Sequence, residues 1–122
     1  MKTIKLLFAM LIISISSQTV NAQADKAERI STIKTQTIKV YGECGMCKKR
    51  IEKAALSVEG VKSANWNEDT KMLTIQFDIY AKDVADKIQQ KIAAVGHDTE
   101  KYKADNSIYE ALPGCCHYSR KN

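Results

Sequence analysis

"YGECGMCKKRIEKAA", Tyr41 to Ala55, is where the chain changes its periodicity. Before it, "KTQTIKVY" (Lys34 to Tyr41) alternates, putting Thr37 and Lys39 on one face and Ile38 and Val40 on the other, as a half-buried strand does. Gly42 ends the alternation. Behind it Cys47, Ile51, Ala54, Ala55 and Val58 recur at helical spacing, with Lys48, Lys49, Glu52 and Lys53 on the other faces and Gly60 closing the helix. A strand therefore passes into a helix through a loop that carries Cys44, and Cys47 sits at the helix start.

Outward from this junction the pattern continues. "VKSANWN" and "KMLTIQFD" read as two strands joined by a polar turn at Glu68, Asp69 and Thr70; Leu73, Ile75 and Phe77 share one face, and Ala64 and Trp66 fit the buried face of the other strand. Ala81, Val84, Ala85, Ile88, Ile92 and Val95 form the stripe of a second helix from about Ala81 to Val95, closed by Gly96. "DTEKYKA" gives a short final strand. The order β-α-β-β-α-β is the ferredoxin-like plan, an α+β two-layer sandwich: a four-stranded antiparallel sheet with two helices on one face. The expected core is Ile38, Val40, Ile51, Leu56, Trp66, Leu73, Ile75, Phe77, Ile88 and Ile92.

The first residues carry a different message. Lys2 and Lys5 precede an apolar run from Leu6 to Ile13, and small residues at Val20-Asn21-Ala22 precede Gln23. This is the form of a secretory signal peptide over residues 1–22; the apolar run is too short to span a bilayer comfortably, so no stable membrane insertion is expected after cleavage. Residues 23–33 read as a flexible lead-in, 34–104 as the domain and 105–122 as a cysteine-containing tail. Without Lys2 and Lys5 the formal net charge of +5 falls to +3, a mild excess, with acids and lysines interleaved, and basic residues are not interleaved with aromatics as nucleic-acid binding requires. An exported, soluble protein fits a periplasm best.

All four cysteines, Cys44, Cys47, Cys115 and Cys116, lie beyond residue 22. In an oxidising compartment an even count suggests disulfides, with three pairings available. The spacing argues against a plain staple, since adjacent cysteines bridge only through a strained ring and Cys44–Cys47 would close a very short loop. Close pairs suit a metal. A thiolate at a helix N-terminus is stabilised by the open N–H groups and the dipole, and Lys48, Lys49 and Arg50 add positive charge. Two such sulfurs suit a soft, low-coordinate ion, Cu(I) above all, with Hg(II) binding by the same softness. A thiol–disulfide enzyme is the reading from another class; against it, no thioredoxin-like pattern accompanies the pair, and Pro113 is the single proline.

With these residues in place the sequence resembles the heavy-metal-associated domain family, found in copper chaperones, N-terminal modules of metal-pumping ATPases and periplasmic mercury-binding proteins. The resemblance spans about residues 35–104. It rests on Cys44 and Cys47, on "CKKRIEKAAL" with Ile51, Glu52 and Ala54, and on "EGVKSANWN", "LTIQFD" and "AVGHDTEKYKA". It implies a non-enzymatic metal carrier, chaperone or buffer whose partner is a metal-transporting ATPase or another metal-handling protein. The family usually shows Gly-Met-x-Cys-x-x-Cys; here Gly42-Glu43 leads directly into Cys44, and Met46 lies between the cysteines.

Met46 is then either a third soft ligand or, as preferred here, the filler of a hydrophobic gap. Glu43 is either an oxygen ligand, which would favour Zn(II), or a solvated acid. The resemblance gives His97, in the loop before the last strand, a role as a weak ligand or a tuner of the site; otherwise it is a surface histidine in a turn. In "LPGCCHYSR", Cys115, Cys116 and His117 form a metal-binding composition. Residues 105–114, if extended, reach at most about 33 Å, enough to return to the first loop. Two sites, one shared site and a disulfide all stay open, as does a metal-bridged homodimer. Because a Pro-Gly tail must be ordered before it binds, Cys44 and Cys47 are expected to be primary and Cys115 and Cys116 auxiliary.

Overall fold

The alternation in "LTIQF" is realised as the central strand of a sheet. The computed structural model describes residues 31–122; residues 1–22, expected to be a signal peptide, and residues 23–30 of the expected lead-in lie outside the described residues. The elements are β1 (Ile33–Lys39), α1 (Gly45–Leu56), β2 (Val61–Trp66), β3 (Met72–Asp78), α2 (Val84–Ala94) and α3 (Asn106–Glu110), followed by a 3₁₀ turn at Gly114–Cys116. The sheet runs β1-β3-β2, antiparallel throughout. Ile38 lies opposite Leu73, and Leu73 lies opposite Trp66, so the apolar positions of three strands meet on one face. Leu73, Ile75 and Phe77 are buried, whereas Thr74 and Gln76 between them are exposed.

The fourth strand of the expected sheet is not formed among the described residues. A single antiparallel bridge, Val40 to Thr99, stands at the open side of β1, made by Tyr41 N–H to the Asp98 carbonyl (2.9 Å) and Glu100 N–H to the Lys39 carbonyl (3.0 Å). The chain then turns on itself. Thr99 N–H donates to the Tyr102 carbonyl at 2.7 Å, Tyr102 N–H returns to Thr99 Oγ1, and Lys101 N–H is taken by Gln89 Oε1. Lys39 N–H, one of the edge donors, is met by the Glu100 carboxylate instead of a strand. The backbone groups a ladder needs are thus already paired.

Most of the expected core is buried, with Leu56 the exception at 50% exposed. Ile51, Ala55 and Val58 point inward at i, i+4 and i+7, and Leu56 falls well round the helix from that stripe. α2 begins at Val84, three residues later than its apolar stripe suggests, because Asp78 closes a turn onto Tyr80 and Ala81 and Asp83 adopts a left-handed conformation (φ 55°). Both helices pack on the apolar face of the sheet, giving two layers. Trp66 is fully buried, and its indole N–H donates to the Val40 carbonyl at 3.0 Å. Gly42 lies directly over that ring: a Cβ there would stand 2.9 Å from Trp66, so glycine lets the cysteine loop cross the core closely.

The tail is ordered and packed, contrary to the expectation of a segment that needs ordering first. Leu112 seats against Gly96, whose φ of +107° would strain any side chain and where a Cβ would crowd Leu112 at 3.0 Å. The Tyr118 hydroxyl accepts the Asp98 N–H at 2.8 Å and donates to the Gly96 carbonyl at 2.7 Å. Arg120 forks onto the fully buried Asp98 carboxylate, Nη2 at 2.7 Å and Nε at 3.0 Å, and its Nη1 reaches Asn106 at 2.6 Å. Burial works to raise the Asp98 carboxyl, but the Arg120 guanidinium and the Ala104 N–H hold it below the usual carboxylate range. The pair therefore contributes stability that fades as pH falls through that lowered value.

Arg120→Ala leaves a buried charge without its partner. It should destabilise the fold by about 3 kcal/mol in urea denaturation and expose residues 105–122 to limited proteolysis, whereas Arg120→Lys, which keeps the charge, should lose less. An unchanged midpoint and an uncut tail in Arg120→Ala would show that the ion pair does not anchor the tail.

Candidate metal centre

Cys44 precedes α1 in an extended conformation (φ −131°, ψ 175°), and its carbonyl accepts the Lys48 N–H that opens the helix. Cys47 stands one turn in and is fully buried. From the other side, the 3₁₀ turn at Gly114–Cys116 brings in the tail cysteines, Cys116 fully buried and Cys115 exposed. Cys44 Sγ is the common point: 3.3 Å from Cys115 Sγ, 3.4 Å from Cys116 Sγ and 3.6 Å from Cys47 Sγ. Cys115 and Cys116 are 3.9 Å apart. All four are free thiols. The loop and the tail thus form one cluster.

The other candidates divide. Met46 does not fill a gap in the core: it is 51% exposed, and its Sδ lies 3.5 Å from Cys115 Sγ. Glu43 is exposed and stands outside the group of potential ligand atoms lying within 4.8 Å of one another, which among the described residues is Cys44, Cys115 and Cys116. His117 is exposed and packs its ring against Tyr109 at 5.2 Å. His97 is no surface residue. It is fully buried and stacked on Tyr118 at 5.3 Å, with Nδ1 donating to the Tyr41 carbonyl at 2.9 Å and Nε2 unpartnered. Burial, aided by the charge of Arg50, lowers its pKa and keeps the ring neutral.

Of the three basic residues behind Cys47, one reaches a sulfur. Arg50 Nη1 donates to Cys116 Sγ at 3.5 Å. Lys48 turns away, binding the Trp66 carbonyl at 2.7 Å and pairing with Glu52 at 3.1 Å, so it ties α1 to the end of β2. Tyr118, Arg120 and Asp98, which hold the tail cysteines in place, carried no periodic signal; the Tyr and Arg within three residues after "CCH" were the available hint.

The four sulfurs are electrostatically unequal. Burial works against charge on Cys44, but the Cys47 N–H at the open helix end and the thiols of Cys115, Cys116 and Cys47 bring its pKa down to about 6. No side-chain hydrogen bond caps the helix, so the Cys47 N–H acts here as a nearby dipole. Burial, together with Cys116, pushes Cys47 up to about 12 against the helix-terminal backbone. Cys115 is raised by its contact with Cys44 and then by burial, and Cys116 is raised chiefly by burial, with Cys47 and Arg50 opposing. At neutral pH the metal-free centre is one thiolate held by three thiols.

The chain belongs to the heavy-metal-associated domain family, whose model matches residues 37–98. Its fold is similar to that of the CopZ metallochaperone, 28% identical, with a TM-score of 0.50 over 54% of this chain and 98% of that one. It is also similar to a putative copper-ion-binding protein from Bacillus anthracis, 22% identical, with a TM-score of 0.51 over 56% of this chain and 96% of the other. The apo N-terminal domain of the zinc(II) ATPase ZiaA is 31% identical, with a TM-score of 0.48 over 61% of this chain and 73% of that one. No curated protein sequence matches significantly. Cys115 and Cys116 lie beyond the residues that the family model covers.

The inequality of the thiols has a direct readout. Iodoacetamide added to the reduced, metal-free protein at about pH 7.5 should alkylate Cys44 first, since the thiolate is the nucleophile. The Cys44 rate should fall about tenfold per unit once pH drops below about 6, where this thiol takes its proton. Peptide mass mapping showing Cys115 modified first, with an ordinary thiol profile, would contradict this assignment.

Proposed function

We propose that the protein is an exported, soluble carrier or buffer of a soft metal ion, foremost Cu(I), bound by the cysteine cluster. The observation that carries this reading is the meeting of Cys47, Cys115 and Cys116 at Cys44, a cluster of thiol sulfurs. An all-thiol set selects a soft ion. A closed tetrahedral zinc site would want four sulfurs about 3.8 Å apart on every edge, from a Zn–S bond of about 2.3 Å. Cys47 departs from that: it touches Cys44 but stands outside the compact group of the other three. Hg(II) would bind the same sulfurs by the same softness and is the second ion this reading admits.

No catalytic step is required. Cys44 is half-buried and Cys115 exposed, so thiolates of a partner would enter from the solvent side and replace the chain's own sulfurs one at a time. That partner would be a metal-transporting ATPase or another metal-handling protein. One chain supplies all the thiolates the ion needs, so a metal-bridged dimer is not required. Residues 1–22 would direct export, to a periplasm in this reading. Among the described residues no helix is long and apolar enough to cross a membrane.

Competition of the reduced protein against a calibrated Cu(I) chelator tests the reading. Cys44→Ser, which removes the sulfur common to the three closest cysteine contacts, should weaken the first equivalent on the order of a hundredfold, about 2.7 kcal/mol. Cys115→Ser/Cys116→Ser should weaken it on the order of tenfold, about 1.4 kcal/mol. Wild-type affinity in Cys44→Ser would defeat the proposed site.

A further inference from the structure

Five sulfurs meet at this centre, and they divide by depth. Cys47 and Cys116 are fully buried beneath Cys44. Cys115 and Met46 lie on the solvent side of it, Cys115 exposed and Met46 51% exposed, with 3.5 Å between their sulfurs. Cys44 Sγ touches both levels, Cys47 and Cys116 below and Cys115 above, at 3.3–3.6 Å. Cu(I) is satisfied by few soft ligands, and five sulfurs exceed what a single ion uses.

Resting on the proposed Cu(I) reading, we propose that the centre takes two Cu(I) ions: an inner one on Cys44, Cys47 and Cys116, and an outer one on Cys44, Cys115 and Met46, with the Cys44 sulfur bridging. A thiolate has the spare lone pairs a bridge needs, and Cys44 is the one sulfur within 3.6 Å of members of both sets. Met46 takes no part in the apolar core, so packing gives no reason for a thioether at the exposed start of α1; its contact with Cys115 does. Charge points the same way. Four thiolates around one monovalent ion leave three negative charges together, and a second ion lowers that to two, of which the guanidinium of Arg50 beside Cys116 offsets one. The outer ion, held by exposed sulfurs, is the one a partner's thiolates reach first.

Native mass spectrometry and chelator competition on reduced protein titrated with Cu(I) decide the matter. The expected result is two ions on the wild-type chain. Met46→Leu and Cys115→Ser should each lose the second equivalent, and in Met46→Leu the affinity for the first should stay within about threefold. Met46 is on the surface, so an unchanged circular-dichroism spectrum and melt separate lost ligation from lost folding. One ion on the saturated wild type would overturn the dinuclear proposal and leave the carrier reading standing. Two ions on Met46→Leu would overturn the outer ligand set, making Met46 a surface residue only. No ion on the wild type would end both readings.

Discussion

Asp98 is an ionised carboxylate with no exposed surface, and that is expensive unless its charge is met. Arg120 meets it from the third-last residue of the chain, with the Ala104 N–H at 2.7 Å as a further donor. One buried charge in the middle of the "AVGHDTEKYKA" stretch thus helps to fix where residues 105–122 go. The Tyr118 hydroxyl, between the Asp98 N–H and the Gly96 carbonyl, fixes the same segment from the inside. Between these anchors and the Leu112–Gly96 contact, Cys115 and Cys116 are left one position: against Cys44.

The consequence for function is that little of the centre waits for a metal to assemble it. The β1–α1 loop and the first turn of α1 supply two thiols and a tail pinned by an ion pair supplies two more, so binding orders few residues and the entropy otherwise lost is small. Electrostatics adds an asymmetry. Cys44 is the sulfur already charged at neutral pH, and the others keep their protons until an ion displaces them. An incoming soft cation would meet the hub first and recruit the buried and exposed thiols from there.

Much of this was legible in the sequence where it depended on local periodicity. The inward face of β3 at Leu73, Ile75 and Phe77, the stripe of α1 at Ile51, Ala54 and Ala55, and the strand-to-helix junction at Cys44 follow from spacing alone. What escaped depended on partners far along the chain. The fourth strand shrinks to one bridge because Glu100, Gln89 and Tyr102 take its backbone groups, and no local pattern signals that. His97 looks like a turn residue until Tyr118, twenty-one positions on, covers it. Met46 reads as a core filler because methionine usually is one, and the sulfur that explains it arrives from Cys115. The tail seemed loose because Pro113-Gly114 breaks regular structure; a buried ion pair holds it without any.

A preassembled centre requires the tail to be docked before any metal binds. Amide hydrogen exchange on the reduced, metal-free protein measures this directly. The N–H groups of Asp98, Ala104 and Cys116, which donate to Tyr118, Asp98 and Pro113, should be protected to a degree comparable with the amides of β3. If those three exchange at unprotected rates while β3 stays protected, the tail is free in solution. The single preassembled cysteine centre would then be contradicted.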